Sequence, residues 1–275
     1  MAFMIAGVWQ PSSLADYKVH FARYNQEEQP LHVFARSFEE WTDWQRYYPN
    51  RNDFNRRRIF SLIQMPQAPA LWLFGGIFMV KGVVGGEDGT RRYDVEIADE
   101  LRPLVGRLTL RYDYRKRGTR VNLEQHYDRL VVHAIASEEY SGAAFPGYSE
   151  VHLGFGELEV LIANGRQDWS TALSHVKGVY LVTDRNARRR YVGSAYGDEG
   201  VWSRWVTYSR CGHGGNAGMK DLLAGHDLQY CRRHFRLALL EHFERRTPDE
   251  VILRREGHWK DVLDTRDVEA GLNRN

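Results

Sequence analysis

The sequence predicts an α+β fold of two domains, a β-rich one at residues 1–168 and a mixed one at residues 169–275. The first part contains several short apolar runs bounded by Pro and Gly, which are typical of strands, and few helical patterns. The second part alternates strand-like and helix-like segments. The polar stretch at residues 166–168 is the predicted boundary between the two domains.

The first domain is expected to combine one helix with a series of strands. Ser37 followed by Glu40 forms a capping-box pattern, and aromatic residues recur at helical spacing from Phe38 to Tyr48. The strand candidates are residues 58–64, 71–84, 93–97, 108–114 and 130–135. These strands favour a β-rich sheet or a small barrel.

In the second domain, strands and short helices are predicted in alternation. Residues 155–163 are expected to form a helix leading into the linker. Strands at 178–183 and 190–194 are joined by a hairpin turn, and helices at 201–209 and 219–223 follow. A third strand is expected at 230–240. Pro248, followed by Asp249 and Glu250, marks the start of a helix that runs to about Leu263.

Composition and charge restrict the class of protein. The chain is 43% hydrophobic and 27% charged, a balance typical of soluble globular proteins. Its longest apolar run, residues 71–80, is shorter than the roughly 20 residues of a bilayer span. The start of the sequence has no signal-peptide pattern, and two cysteines give no disulfide framework. We therefore expect a cytoplasmic protein without a membrane partner. Basic residues outnumber acidic ones after residue 170, which permits nucleic-acid binding.

A series of short motifs runs through the second domain. They are Gly178-Val179-Tyr180, Tyr191-Val192-Gly193, Arg204-Trp205, Gly212–Asn216, Glu256-Gly257-His258-Trp259 and Gly271-Leu272-Asn273. In this order they resemble the GIY-YIG family of metal-dependent DNA endonucleases. The resemblance covers about residues 175–275 and none of the first 170. It implies a small antiparallel sheet flanked by helices, and cleavage of DNA to 5′-phosphate and 3′-hydroxyl ends.

The resemblance also implies a set of site residues. The candidate catalytic residues are Tyr180, Tyr191, Arg204, Tyr208, His213, Glu256 and Asn273. Glu256 is implied to be the only protein ligand of Mg²⁺ or Mn²⁺, which suits a hard cation that keeps several waters. Arg204 is implied to face the scissile phosphate, to which a guanidinium offers paired donors. Asn273 is implied to bond near the active site.

The tyrosines require a particular electrostatic environment if one of them is to act as a base. A tyrosine hydroxyl can orient or deprotonate a water, but its pKa near 10 makes it a poor base unless cations lower it. The candidate cations are Arg188, Arg189, Arg190 and Arg204. The alternative interpretation is that Tyr180 and Tyr191 are half-buried strand aromatics.

Candidate DNA contacts occur in both domains. In the second domain they are Arg188, Arg189, Arg190, Asn216 and Lys220. In the first domain Arg107, Arg111 and Arg115 are predicted to share one strand face, and a second basic cluster spans residues 51–58. Such arginines can follow a phosphate backbone, and the simpler alternative is a solvated sheet face.

Several alternatives remain open. Glu256 can also be a helix glutamate paired with Arg254, Arg255 or Lys260, and Glu241 and Glu244 are other candidate ligands. Cys211-x-His213 and Cys231-x-x-His234 provide zinc-type ligands at poor spacing. The favoured function is a DNA endonuclease in restriction or defence against foreign DNA. The alternatives are a repair or recombination nuclease on branched or single-stranded DNA, and a DNA-binding protein that has lost cleavage.

Overall fold

Two sheets and several helices make up a mixed α and β fold in the computed structural model, which describes residues 2–49, 51–85 and 89–274. The chain divides into two compact units, Met1–Tyr140 and Ser141–Asn275. This division lies before the predicted boundary at 168/169. Within the described residues, no helix has the length and apolar character to cross a membrane.

The first unit is built on a seven-stranded sheet. Its strands are β1 (Tyr17–Ala22), β2 (Arg58–Met65), β3 (Ala68–Gly85), β4 (Arg91–Ile97), β5 (Leu108–Arg111), β6 (Arg120–Asn122) and β7 (Val131–Ile135). They are arranged in the order β6-β1-β2-β3-β5-β7, and β4 also pairs with β3. β1 and β2 are parallel, whereas the other pairings described in this sheet are antiparallel. The β-rich character predicted for this part is confirmed.

Two helices, α1 (Pro30–Arg36) and α2 (Phe38–Arg46), accompany this sheet. The predicted cap of α2 is confirmed, because the Ser37 hydroxyl accepts a hydrogen bond from the Glu40 amide at 3.2 Å. Trp41 packs where Gly75 of β3 has no side chain, since a Cβ there would lie 2.7 Å from the indole ring. The Trp41 indole N–H donates to the Gly75 carbonyl at 2.8 Å. The absence of a side chain at Gly75, in the longest strand, thus allows α2 to pack against the sheet.

The second unit is built on a four-stranded antiparallel sheet in the order β10-β9-β11-β8. Its strands are β8 (His152–Gly154), β9 (Val176–Asp184), β10 (Arg189–Ala195) and β11 (Phe235–Glu244). Its helices are α3 (Phe155–Ala163), α4 (Gln167–Ser174), α5 (Gly200–Cys211), α6 (Ala217–Leu222), α7 (Leu228–His234) and α8 (Asp249–Val262). β8 pairs with β11, and α3 packs against α5 and α7. The boundary lies after Tyr140 because β8 and α3 belong to this core.

The sheet of the second unit separates two apolar clusters. Tyr180, Tyr191 and Trp205 belong to the larger cluster, which also contains side chains of α3, α4 and α6. Val179, Val192 and Ile252 form the smaller cluster, with Trp259 and Leu263 packed against it. α8 therefore covers one face of β9 and β10, and α5 covers the other.

The predicted strand at 230–240 is wrong in its first half. Residues 228–234 form α7, and β11 begins only at Phe235. The Asp227 carboxylate caps α7 by accepting from the Gln229 amide at 3.0 Å. The basic residues of its last turn suit the negative end of a helix dipole. These helix signals outweigh the apolar run that favoured a strand.

Candidate active site

Tyr180 and Tyr191 converge on Gly193. In the antiparallel pairing of β9 and β10, Tyr180 lies opposite Gly193, and Tyr191 lies two residues before that glycine on the same face. A Cβ on Gly193 would lie 2.6 Å from the Tyr180 hydroxyl oxygen and 2.7 Å from Cε1 of Tyr191. Both distances are too short for a real Cβ contact. Both rings can therefore approach this position only because residue 193 is glycine.

Helix α5 adds Arg204 and Tyr208 to the same point. The two residues are one helical turn apart and so share a face of α5. Arg204 Nε donates to the Tyr180 hydroxyl at 3.1 Å, and the hydroxyl oxygens of Tyr180 and Tyr208 lie 3.4 Å apart. The guanidinium carbon of Arg204 lies 5.5 Å from the Tyr208 ring centroid. The structure thus brings together three of the predicted site residues, with Tyr191 adjoining.

Burial sets the protonation of the two tyrosines nearest Arg204. Tyr180 is 0% exposed, and loss of hydration raises its pKa to about 12, which Arg204 only partly offsets. Burial also raises the pKa of Tyr208 well above its usual value. The lowered pKa that a tyrosine base requires is therefore not present in either residue. Both are neutral phenols at pH 7, so they act as hydrogen-bonding groups that position their neighbours.

The consecutive arginines of the hairpin contact the C-terminal segment. Arg189 donates to the carbonyls of Glu269 at 3.0 Å and Val268 at 3.2 Å. Arg190 donates to the carbonyl of Leu263 at 3.4 Å. Arg188 lies exposed in the turn between β9 and β10. Among these predicted cations, Arg204 is the one that contacts Tyr180.

Asn273 binds the free edge of β10. Its side-chain oxygen accepts from the Val192 amide at 3.0 Å, and its side-chain nitrogen donates to the Val192 carbonyl at 2.8 Å. The backbone of Gly271 forms a parallel bridge with Arg190. Asn273 is 5% exposed, so both bonds are shielded from water. It therefore holds the strand that carries Tyr191 and Gly193.

Glu256 lies on the opposite face of the sheet from the tyrosines. Ser194 follows Gly193 in β10, so by strand alternation its side chain points to the α8 face, where its hydroxyl donates to Oε2 of Glu256. Lys260, one turn along α8, pairs with Oε1 at 2.7 Å, and both charged side chains are buried. The predicted pairing of Glu256 with Lys260 is thus present.

The carboxylate of Glu256 and the hydroxyl of Ser194 are hard oxygen donors of the type that Mg²⁺ and Mn²⁺ accept. Within residues 2–49, 51–85 and 89–274, no group of three or more His, Cys, Asp or Glu side chains is arranged to hold a metal. A cation at Glu256 would therefore need waters or substrate oxygens as its other ligands. It would also have to compete with the Lys260 ammonium for Oε1.

The alternative ligands Glu241 and Glu244 are engaged elsewhere. Glu241 forms an ion pair with Arg255 and accepts from the Trp259 indole N–H at 2.9 Å. Glu244 is exposed and lies 3.4 Å from Arg246. The tryptophan of the Glu-x-x-Trp motif therefore ties α8 to β11. Sequence reasoning did not anticipate this bond between the motif and Glu241.

The glycine-rich loop packs against Tyr208. Gly214 has a φ of +54°, and a Cβ there would lie 2.6 Å from the Tyr208 ring. Nδ1 of His213 accepts from the Gly215 amide at 3.0 Å, and partial burial lowers its pKa. The Asn216 side chain caps α6 by accepting from the Met219 amide at 2.9 Å, while Lys220 is exposed. The loop thus closes over Tyr208, and Asn216 has a structural bond that the sequence did not predict.

The zinc alternative is not supported by the described part of the chain. Cys211 Sγ and His213 Nδ1 lie 3.8 Å apart, but they belong to no group of three or more candidate ligands. Cys231 is 0% exposed, and burial raises its thiol pKa to about 12. A thiol that resists deprotonation is a poor metal ligand.

Arg107, Arg111 and Arg115 do not share one strand, contrary to the prediction. β5 ends at Arg111, and Arg107 precedes it with its guanidinium bonded to the Ala136 and Pro103 carbonyls. Arg115 lies beyond the strand and pairs with Asp113 at 2.9 Å. The alternating pattern continues in the sequence after the chain has left the sheet.

Comparison with known proteins identifies no protein similar to this chain. No protein-family model matches the chain, and neither a curated protein nor a solved structure shows significant similarity to it.

Proposed function

We propose that the second unit hydrolyses DNA phosphodiester bonds with Mg²⁺ or Mn²⁺, in the manner of the GIY-YIG family that its motifs resemble. The observation that supports this most is the meeting of Tyr180, Tyr208 and Arg204 beside Gly193. A guanidinium fixed by the neutral hydroxyl of Tyr180 keeps its full charge for an anion. The bond uses Nε, so the paired terminal nitrogens suit two phosphate oxygens.

In this proposal Arg204 acts on the phosphoryl group and Tyr180 positions Arg204. Negative charge grows on the phosphoryl oxygens as hydrolysis proceeds, and a preorganised donor stabilises it more than it stabilises the ground state. Tyr180 accepts from Arg204, so its own proton can be shared with Tyr208. Tyr191 is 7% exposed and is the better placed of the paired strand tyrosines to orient a water.

Glu256 is the residue that would hold the divalent cation, with the Ser194 hydroxyl beside it. When bound, such a cation would supply Lewis acidity. Glu256 lies on the opposite face of the sheet from Arg204, so the scissile phosphate would have to reach both faces at one edge of the sheet for the two residues to act together. In the protein without a bound cation, Lys260 pairs with the Glu256 carboxylate. This pairing is needed because burying a carboxylate without a counter-charge costs free energy. The biological role that we favour is restriction or defence against foreign DNA, in which the first unit selects the target.

The test compares wild-type protein with Glu256→Gln on plasmid, single-stranded, branched and modified DNA, with Mg²⁺ and with EDTA. We expect metal-dependent cleavage by the wild type, and loss of cleavage with retained DNA binding in the variant. Glu250→Gln is the matched control, because Glu250 is an exposed glutamate in the first turn of the same helix. Thermal melting checks folding, and the double variant Glu256→Gln with Lys260→Met removes the ammonium together with the carboxylate charge. Cleavage by Glu256→Gln at the wild-type rate would refute the metal assignment, and binding without cleavage by the wild type would indicate a non-catalytic protein.

A further inference from the structure

The first unit contains a pocket of about 650 Å³ that the nuclease proposal does not use. It is lined by the end of β1, the start of β6 and the end of α2, and its walls include His20, Arg23, Trp44, Tyr47 and Arg120. The pairing of β1 with β6 sets His20 opposite Arg120. A volume of this size lies in the range that holds one small-molecule ligand.

Arg120 is a partly buried cation among aromatic rings. Its guanidinium carbon lies 4.3 Å from the Phe54 ring centroid and 5.5 Å from that of Tyr47. Nη2 donates to the Tyr47 carbonyl at 3.0 Å. Nη1 is covered by protein atoms, so a ligand in the pocket would contact the accessible remainder of the guanidinium.

Arg23 contributes a second guanidinium to the lining of the pocket. Its terminal nitrogens donate to the carbonyls of Tyr114 and Lys116, the latter at 3.0 Å. Two arginines from separate segments of the chain thus line the same pocket.

Exposed aromatic rings complete the pocket. Tyr47 is 64% exposed and Tyr24 is 54% exposed, although large aromatic side chains are usually covered. Trp44 also lines the pocket and is only partly buried. Aromatic faces of this kind stack with nucleic-acid bases without regard to sequence.

The charges around the pocket favour a neutral acceptor edge over a strongly anionic group. Burial, followed by the nearby Arg120 charge, lowers the pKa of His20 to about 3, so the ring is neutral and adds no third cation. Asp53 and Glu27 supply negative charge in the same lining, and Asp53 pairs with Arg51 at 2.7 Å. Aromatic faces combined with guanidinium donors match a flat heterocycle that has oxygen and nitrogen acceptors on its edge.

We propose that this pocket binds one nucleotide by its base, which stacks on the exposed rings and accepts from Arg120 and Arg23. The proposal rests on the nuclease proposal for its preferred source, a nucleotide of the bound DNA. The same chemistry would also accept a free mononucleotide. In either case the first unit recognises a base. Its role in DNA binding would then be to select the target, and not only to contact the phosphate backbone.

The first experiment uses the full chain in EDTA with oligonucleotides that carry 2-aminopurine, whose emission rises when the base leaves the stack. Free deoxynucleoside monophosphates are titrated in parallel by calorimetry. We expect Arg120→Met and Tyr47→Ala each to weaken DNA binding by about tenfold and to reduce the emission rise. Arg102→Met is the matched control, since Arg102 is exposed and lies outside the pocket lining. Thermal melting of each variant checks that it is folded before its binding is compared with that of the wild type.

The possible outcomes distinguish a nucleotide of bound DNA from a free nucleotide as the ligand. They also test the base-binding proposal separately from the nuclease proposal. Binding of free nucleotides that Arg120→Met abolishes, without an emission change in DNA, would support the site and assign it a free ligand. Wild-type affinity and emission in both pocket variants would overturn the inference. A wild-type protein that cleaves no DNA but shows binding sensitive to Arg120 would remove the nuclease proposal and leave this one standing. Normal cleavage with unaltered binding in both variants would do the reverse.

Discussion

Arg204 is anchored by the hydroxyl of Tyr180, a partner that carries no charge at neutral pH. A carboxylate in the same place would hold the guanidinium more tightly and would also neutralise it. The phenol fixes the orientation and leaves the charge free for the phosphate of the proposed reaction. Gly193 makes this possible, because any larger residue would displace the Tyr180 hydroxyl. Arg204 thus provides the positive charge, Tyr180 fixes its orientation, and Gly193 leaves room for the Tyr180 hydroxyl.

Replacing Arg204 should affect the chemical step. We expect Arg204→Ala to lower the single-turnover cleavage rate by about 10²–10³, because a preorganised donor to the phosphoryl oxygens is lost. Arg204→Lys should recover little of this, since an ammonium lacks the paired donors. Single-turnover rates and DNA affinity should be measured on the same preparations. If only affinity changes, Arg204 merely positions the DNA backbone.

Lys260 should act as a competitor of the divalent cation at Glu256. Removing its ammonium in Lys260→Met frees Oε1 of Glu256, so Mg²⁺ should raise the melting temperature of the variant by more than it raises that of the wild type. Without Mg²⁺ the variant should melt lower, because a buried carboxylate has lost its counter-charge. Arg254→Met, an exposed change on the same helix, is the control. Equal Mg²⁺ shifts in all three proteins would rule out this competition.

At the scale of elements, β10 is held on both sides. β9 pairs along its full length, and the segment around Gly271 and Asn273 pairs with its other edge. α8 packs against it from the face that carries Val192. The strand that supplies Tyr191 and Gly193 is therefore fixed by an adjacent strand, a helix and a distant segment together.

Asn273→Ala should destabilise the second unit. The change removes two buried hydrogen bonds and leaves the amide and carbonyl of Val192 without partners, so we expect a loss of roughly 1–3 kcal/mol in the free energy of unfolding. Urea denaturation of the variant and the wild type measures this difference. Asn186→Ala, in the exposed hairpin turn, serves as the control. An unchanged midpoint and slope would mean that the Val192 pairing is dispensable.

Local patterns predicted the elements whose signals lie close together in the sequence. The Ser37 cap, the alternating residues of β4 and the Pro248 start of α8 are of this kind, and the structure contains all three elements. β8 is only three residues long and pairs with β11 more than eighty positions later, so no local pattern could assign it. The grouping of Tyr180 with Arg204 and Tyr208 followed from the resemblance. The pocket beside Arg120 was missed because it depends on the unpredicted pairing of β1 with β6.

At the scale of the whole molecule, the two units have separate cores, and their boundary can be tested by truncation. A fragment of residues 141–275 should fold alone, because it contains the complete four-stranded sheet. A fragment of residues 169–275 lacks β8 and α3, including the buried side chains Leu153, Phe155 and Leu158, and should not fold. Circular dichroism and cooperative thermal melting distinguish the two cases. Cooperative melting of the shorter fragment would place the boundary where the sequence predicted it.

The pairing of Asn273 with β10 has a consequence for the order in which this protein becomes functional. Residues 271–273 are translated after every strand and helix described in this unit. While a ribosome still encloses them, β10 presents an open edge of the kind that invites pairing with other chains. When they emerge, they cover that edge and fix the strand beneath the candidate site. The arrangement of Tyr191 and Gly193 should therefore be completed only after residues 271–273 dock.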